Sequence, residues 1–164
     1  MSVDQNKETV VQFFKSFDNR QIEQAFQLMA PNFVAHMMGM PAPLDASEFK
    51  EFGKSFYLAF DQGKHVFDEI VAENDRVVTA GTFTAIHQGE FQGLPPTGKP
   101  ITIEVAHVDV VQDGLIVKHW GMGNAFGLMQ QLGIVSIPGP KLVPHILKGI
   151  ASKVFKNYPL SLIV

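Results

Sequence analysis

His107 and Asp109 stand two residues apart in the stretch VAHVDVV, and His119 follows in VKHWGMG. Imidazole ordinarily changes charge near neutral pH, so two histidines facing one space could move protons to and from a bound molecule. Asp109 could orient or charge-balance His107. Asn124 could donate a hydrogen bond to a developing oxyanion. A plainer role suits the same residues equally: hydrogen-bonded polar groups of a pocket wall, with Asp109 solvated near a strand end. The sequence leaves both readings open. A histidine-only metal centre would draw on His36, His87, His107 and His119, but no tight ligand spacing links them. No metal and no cofactor is expected.

These residues can act together only if one face presents them. Residues 101–111 and 115–122 read as strands, because both runs alternate and are β-branched. Alternation puts Ile101, Ile103, Val105, His107 and Asp109 on one side, and Leu115, Val117, His119 and Gly121 on one side of the next strand. A two-residue Asp113-Gly114 turn would set His107 opposite Trp120. A three-residue Gln112-Asp113-Gly114 loop with a bulge would set it opposite His119. The second is preferred, since it groups Val105, His107 and Asp109 with Val117, His119 and Gly121. Trp120 then faces away.

The remaining elements follow from periodicity. Residues 4–17 read as a helix with Val10, Phe13, Phe14 and Phe17 on one stripe. Asn19 reads as the cap of a second helix, stopped by Pro31, and residues 32–36 as a short strand. Asp45 and Glu48 form a capping-box pattern ahead of a helix bearing Phe49, Phe52, Phe56 and Phe60. Residues 66–73 and 76–88 read as strands joined at Asn74-Asp75, and residues 125–132 as a last helix. Helices followed by an antiparallel meander predict an α+β fold, with the N-terminal helices packed on one face of a curved antiparallel sheet. Met37, Met38, Met40, Met122 and Met129 suit either a pliable apolar pocket or core filling.

The stretch GLPPTGKP, residues 93–100, imitates a phosphate-binding loop through Gly93, Gly98 and Lys99. Such loops present consecutive backbone N–H groups to phosphate. Pro95, Pro96 and Pro100 have none, Pro100 replaces the Mg²⁺-binding hydroxyl, and a strand follows where a helix is required. The reading is a rigid connection between strands.

Hydrophobic residues at 46% and charged residues at 18% describe a globular chain, and 164 residues suit one principal domain. Cysteine is absent, which excludes disulfides and thiolate ligands. A net charge of −3 gives no reason to expect nucleic acid. The opening MSVDQNKE has no basic apolar leader, so a cytoplasmic protein is expected. Charge is uneven: residues 1–138 hold 9 basic and 16 acidic side chains, whereas residues 139–164 hold 4 lysines and no acid. Pro138-Gly139-Pro140 marks the boundary between a domain, 1–138, and a basic extension, 139–164. Lys141 to Lys156 repeats apolar residues at helical spacing, as in an amphipathic helix. Such a helix could cover the pocket mouth, pack on a partner subunit or lie on an anionic membrane; docking on protein is preferred.

GEFQGLPPTGKPI, then DGLIVKHW, then LMQQLG together resemble the SnoaL-like polyketide cyclases of the nuclear transport factor 2-like fold group, over residues 4–133. The resemblance implies a cone-shaped α+β barrel with an internal apolar pocket, and a homodimer. It implies a pocket lined by His36, Met38, Phe56, Phe83, Val105, Val117, Gly121 and Met122, with His107 and His119 at its polar end. The ligand implied is a small apolar carbonyl or polyketide-like compound, and the chemistry an aldol-type ring closure started by a pocket carboxylate. The family places that acid two residues after the last-strand histidine or near the start of the last helix. Here those positions are Gly121 and Asn124. Three functions stay open: a cofactor-independent cyclase, isomerase or dehydratase using His107 and His119; a non-catalytic binding protein; and a tail-mediated membrane or assembly module.

Overall fold

Helix α1 (Val3–Asp18) is set at its start by a capping box, in which Ser2 accepts from the Gln5 backbone and the Gln5 side chain accepts from Ser2. Its stripe of Val10, Phe13, Phe14 and Phe17 is buried. Each buried phenylalanine contributes about 2 kcal/mol. Asn19 does not cap the second helix as expected; it closes α1, its N–H bonded to the carbonyls of Lys15 and Phe17. The short α2 (Ile22–Gln27) has no side-chain cap at all. The coordinates come from a computed structural model that describes residues 2–135, with Pro144, Leu147 and Lys148 beyond them. The chain divides between Ile134 and Val135. The expected amphipathic helix at Lys141 to Lys156 lies outside the described residues apart from those three. Among the described residues, no helix is long and apolar enough to cross a membrane.

Strand β1 (Met29–Met37) and the two-residue β2 (Leu44–Asp45) lead into α3 (Ala46–Ala59). The expected box forms there: Asp45 accepts from the N–H groups of Ser47 and Glu48, and Glu48 accepts from that of Asp45. Then come β3 (Phe60–Glu73), β4 (Arg76–His87), β5 (Pro100–Gln112), β6 (Leu115–Gly123) and α4 (Ala125–Leu132). The fold is α+β, with helices leading and a six-stranded, curved, unclosed sheet in the order β2-β1-β6-β5-β4-β3. Pairing is antiparallel except where β1 runs parallel to β6. Curvature has a local cause at Gly81, where β3 bulges between Phe67 and Glu69. A Cβ at Gly81 would stand 2.0 Å from the Val66 carbonyl oxygen, so only glycine admits this approach.

The β5–β6 register differs from both sequence alternatives. The turn has two residues, Asp113 and Gly114, both at positive φ, as tight hairpins require. A bulge then inserts Val117, so His107 pairs with Gly121 and Asp109 with His119. This differs from the preferred register by two positions. An even slip preserves the face, so His107, Asp109, His119 and Gly121 still point the same way. Val117 does not join them: at the bulge Ile116, fully buried, takes the inward place.

Candidate functional site

The concave side of the sheet and helices α1, α3 and α4 enclose a cavity of about 430 Å³. Of the expected lining residues, Met38, Phe56, Phe83, Val105, Gly121 and Met122 border it. His36 and Val117 do not. His36 pairs with Trp120 across β1 and β6 and stacks on its ring at 5.2 Å, on the side facing away from His119. Phenylalanines from α1 and α3 supply much of the wall, and methionines 37, 38, 40, 122 and 129 border the space. Met38, Met122 and Met129 are themselves exposed, which puts them at its rim.

Polar groups meet the cavity mainly as a row of histidines. His107 and His119 lie with ring centroids 5.5 Å apart, nearly stacked. His65 lies 5.6 Å beyond His107. Each ring is fixed through Nδ1: His119 by Asp109 Oδ1 at 2.8 Å, His107 by Thr79 Oγ1 at 3.1 Å, and His65 by Asp18 Oδ1 at 2.8 Å. An ionised carboxylate only accepts, so Nδ1 carries the hydrogen in His119 and His65. In the neutral ring that leaves Nε2 with a lone pair. The Nε2 of His119 reaches beside Gly121: a Cβ built there would meet it at 3.1 Å and the Met37 methyl at 2.8 Å. Glycine at 121 therefore makes the room in which this nitrogen and Met37 sit. The place where the family resemblance puts an acid is taken by an imidazole with a carboxylate behind it.

Asp109 is not a solvated strand-end residue. It is fully buried, bonded to His119 rather than His107, and its Oδ2 has no partner among the described residues. A two-residue separation on one strand held it away from His107, whereas cross-strand pairing set it against His119. Burial pushes His107 well below its ordinary value of 6.5, with its neighbours His119 and His65 adding to the effect. His107 is therefore neutral at pH 7. Asn124 does not reach the cavity; its side chain caps α4 by accepting from the Gly127 N–H at 2.8 Å.

The histidines of the notional metal set do not converge. His36 is on the far side, and His87 anchors the loop before β5, its Nδ1 meeting Thr97 Oγ1 at 3.1 Å and its ring stacking on Phe60. The phosphate-loop imitation has a structural use. Gln92 and Gly93 make a tight turn at positive φ, and the N–H groups of Gly93, Leu94, Thr97 and Gly98 are taken by Glu90, Phe91 and His87. Lys99 donates to the Leu132 carbonyl at 3.1 Å, at the C-terminus of α4, where a cation is favoured. Gln131 holds the same helix to β5, bonding both the N–H and the carbonyl of Thr102 at 2.8 Å.

Sequence reasoning missed a second carboxylate pair. Asp18, the last residue of α1, accepts from the backbone N–H of His65 at 2.8 Å as well as from its ring, and from the Tyr57 hydroxyl at 3.2 Å. Burial and the adjacent Asp18 raise Tyr57 well above 10.0. No local pattern announces a contact across 47 residues. In sequence this strand reads from residue 66, whereas β3 begins at Phe60 and so carries His65 on the sheet.

Among curated proteins none matches this sequence. Solved structures do. AclR from Streptomyces galilaeus, a candidate hydroxylase, is 24% identical with a TM-score of 0.75, covering 82% of this chain and 100% of its own. IdmH from Streptomyces antibioticus, a candidate polyketide cyclase, is 27% identical with a TM-score of 0.69, covering 78% and 98%. A candidate polyketide cyclase from Acidithiobacillus ferrooxidans is 28% identical with a TM-score of 0.69, covering 83% and 100%. The family model for the SnoaL-like polyketide cyclases matches residues 8–132, most of the chain. The chain belongs to the SnoaL-like polyketide cyclase family.

Proposed function

We propose that the cavity binds a small, uncharged, largely apolar carbonyl compound and that His119 moves a proton at the carbon beside its carbonyl. The observation that carries this reading is the Asp109–His119 pair, 2.8 Å apart on the wall of an apolar cavity. Asp109 fixes the tautomer, so Nε2 of His119 is the base. The C–H electron pair becomes the enolate double bond, and charge gathers on the carbonyl oxygen. Neutral His107, steadied by Thr79, stands beside it as a hydrogen-bonding partner for that oxygen. Attack of the enolate carbon on a second carbonyl would close a ring, the new alkoxide taking the proton held by His119; return of that proton to a different carbon of the enolate system would be isomerisation. No lysine, arginine, aspartate or glutamate borders the cavity among the described residues, which is why an uncharged ligand fits.

The test is deuterium uptake at the α-carbon of apolar ketones in D₂O, followed by mass spectrometry. Wild type should accelerate uptake, and H119Q should lose about 10²-fold or more of the acceleration. Uptake unchanged by H119Q would sink the reading. A second reading, a binding protein without turnover, is favoured by Gly121 and Asn124 standing where the family resemblance puts an acid. It predicts tight ketone binding with no uptake above buffer.

A further inference from the structure

The pair Asp18–His65 has no part in the proton transfer above, yet it is built as carefully. Three donors converge on Asp18: the His65 backbone N–H, the His65 ring and the Tyr57 hydroxyl. An ionised Asp18 only accepts, so a neutral His65 ring carries its hydrogen on Nδ1. The opposite ring nitrogen, Nε2, is left as an acceptor with no hydrogen-bond partner among the described residues, on a ring that borders the cavity. The wall around it is apolar: the rings of Phe14, Phe67 and Phe83 lie 4.9, 5.6 and 4.8 Å from that of His65. A lone acceptor in an apolar wall rewards a ligand that brings a donor to it and penalises one that does not.

We infer that His65 is a hydroxyl-recognising residue, positioned by Asp18, and that the ligand is a hydroxylated ketone rather than a plain one. The inference deepens the proposed function and rests on it for the position of the carbonyl. His65 is separated from His119 by ring-to-ring steps of 5.6 and 5.5 Å through His107. The hydroxyl therefore belongs at the end of the ligand far from the enolisable carbon. A cavity of about 430 Å³ accommodates such a span in a molecule of roughly two or three fused rings.

Calorimetry with two probes tests this: the bicyclic ketone β-tetralone and its derivative hydroxylated on the far ring. Wild type should bind the hydroxylated compound about tenfold or more tightly than the plain one. H65F fills the same space among the phenylalanines and leaves Asp18 its other two donors; it should bind both ketones alike. D18N keeps an acceptor for the His65 backbone N–H but frees the ring tautomer. It should lose most of the discrimination and show mixed His65 tautomers by ¹⁵N NMR, where wild type shows Nδ1–H alone. Equal binding of the two ketones by wild type overturns this inference and leaves the proposed function standing. Discrimination that survives H65F overturns it as well. Failure of both ketones to bind overturns the two together, and loss of α-deuterium uptake alone touches only the proposed function.

Discussion

The two carboxylate–histidine pairs at either end of the histidine row use the same bond and differ in everything around it. Asp109 is fully buried and, among the described residues, accepts one hydrogen bond and keeps an oxygen without a partner. Asp18 keeps some exposure, at 14% of its side chain, and accepts three hydrogen bonds. The first pair concentrates all of its compensation in one contact. The second spreads it over a ring, a backbone N–H and a phenol. A site that depends on one bond is easily disabled, and a site with several is hard to loosen. The difference fits the roles proposed above, reaction at the His119 end and recognition at the His65 end.

The sharpest test of that contrast is stability after losing the imidazole. H119L strips a fully buried carboxylate of its only partner among the described residues and should cost about 3–5 kcal/mol by urea denaturation. H65L leaves Asp18 its other two donors and should cost about 1 kcal/mol. Equal losses would erase the distinction.

The ring between the two pairs comes next. Folded His107 is held neutral while the unfolded chain takes up a proton near pH 6.5, so the unfolded state binds more protons below that pH. Its contribution is complete above about pH 6.5 and is lost as pH falls further, at up to about 1.4 kcal/mol per unit. Between pH 7.5 and 5.5 the urea midpoint of wild type should fall relative to that of H107F. Parallel curves would show that the row does not desolvate its middle member.

Two smaller substitutions refine each end. G121A presses on the Met37 methyl and on His119 Nε2, and because the Met37 tip can swing aside it should cost only about 1 kcal/mol. Its effect on deuterium uptake should exceed its effect on stability. Y57F removes the longest of the three bonds to Asp18, at 3.2 Å, and should cost about 0.5 kcal/mol, read as a small fall in the thermal midpoint.

The contrast also explains what was legible beforehand. Asp109 and His119 lie on consecutive strands, so alternation alone gathers them with His107 on one face, and a register wrong by two residues does no harm to that grouping. What alternation cannot supply is who bonds to whom, and Asp109 was expected beside His107. The fold class, the Asp45–Glu48 cap and the strand meander follow from local chemistry in the same way. Asp18 and His65 meet only because α1 lies across β3, and nothing within a few residues of either encodes that. Val117 and His36 fell outside the cavity for reasons of the same kind, a bulge and a parallel β1–β6 pairing invisible to period-two counting.

Helix α4, one wall of the cavity, is fastened at its start by the Asn124 N–H, which donates to the Glu104 carbonyl of β5 at 3.0 Å, and near its end by Gln131 and Lys99. A wall fixed at both ends does not swing as a lid, a motion that takes microseconds to milliseconds. The soft part of the rim is instead methionine, whose rotamers exchange in picoseconds to nanoseconds. Among the described residues, residence of the proposed ligand would then measure how strongly the interior holds its guest rather than how often α4 opens.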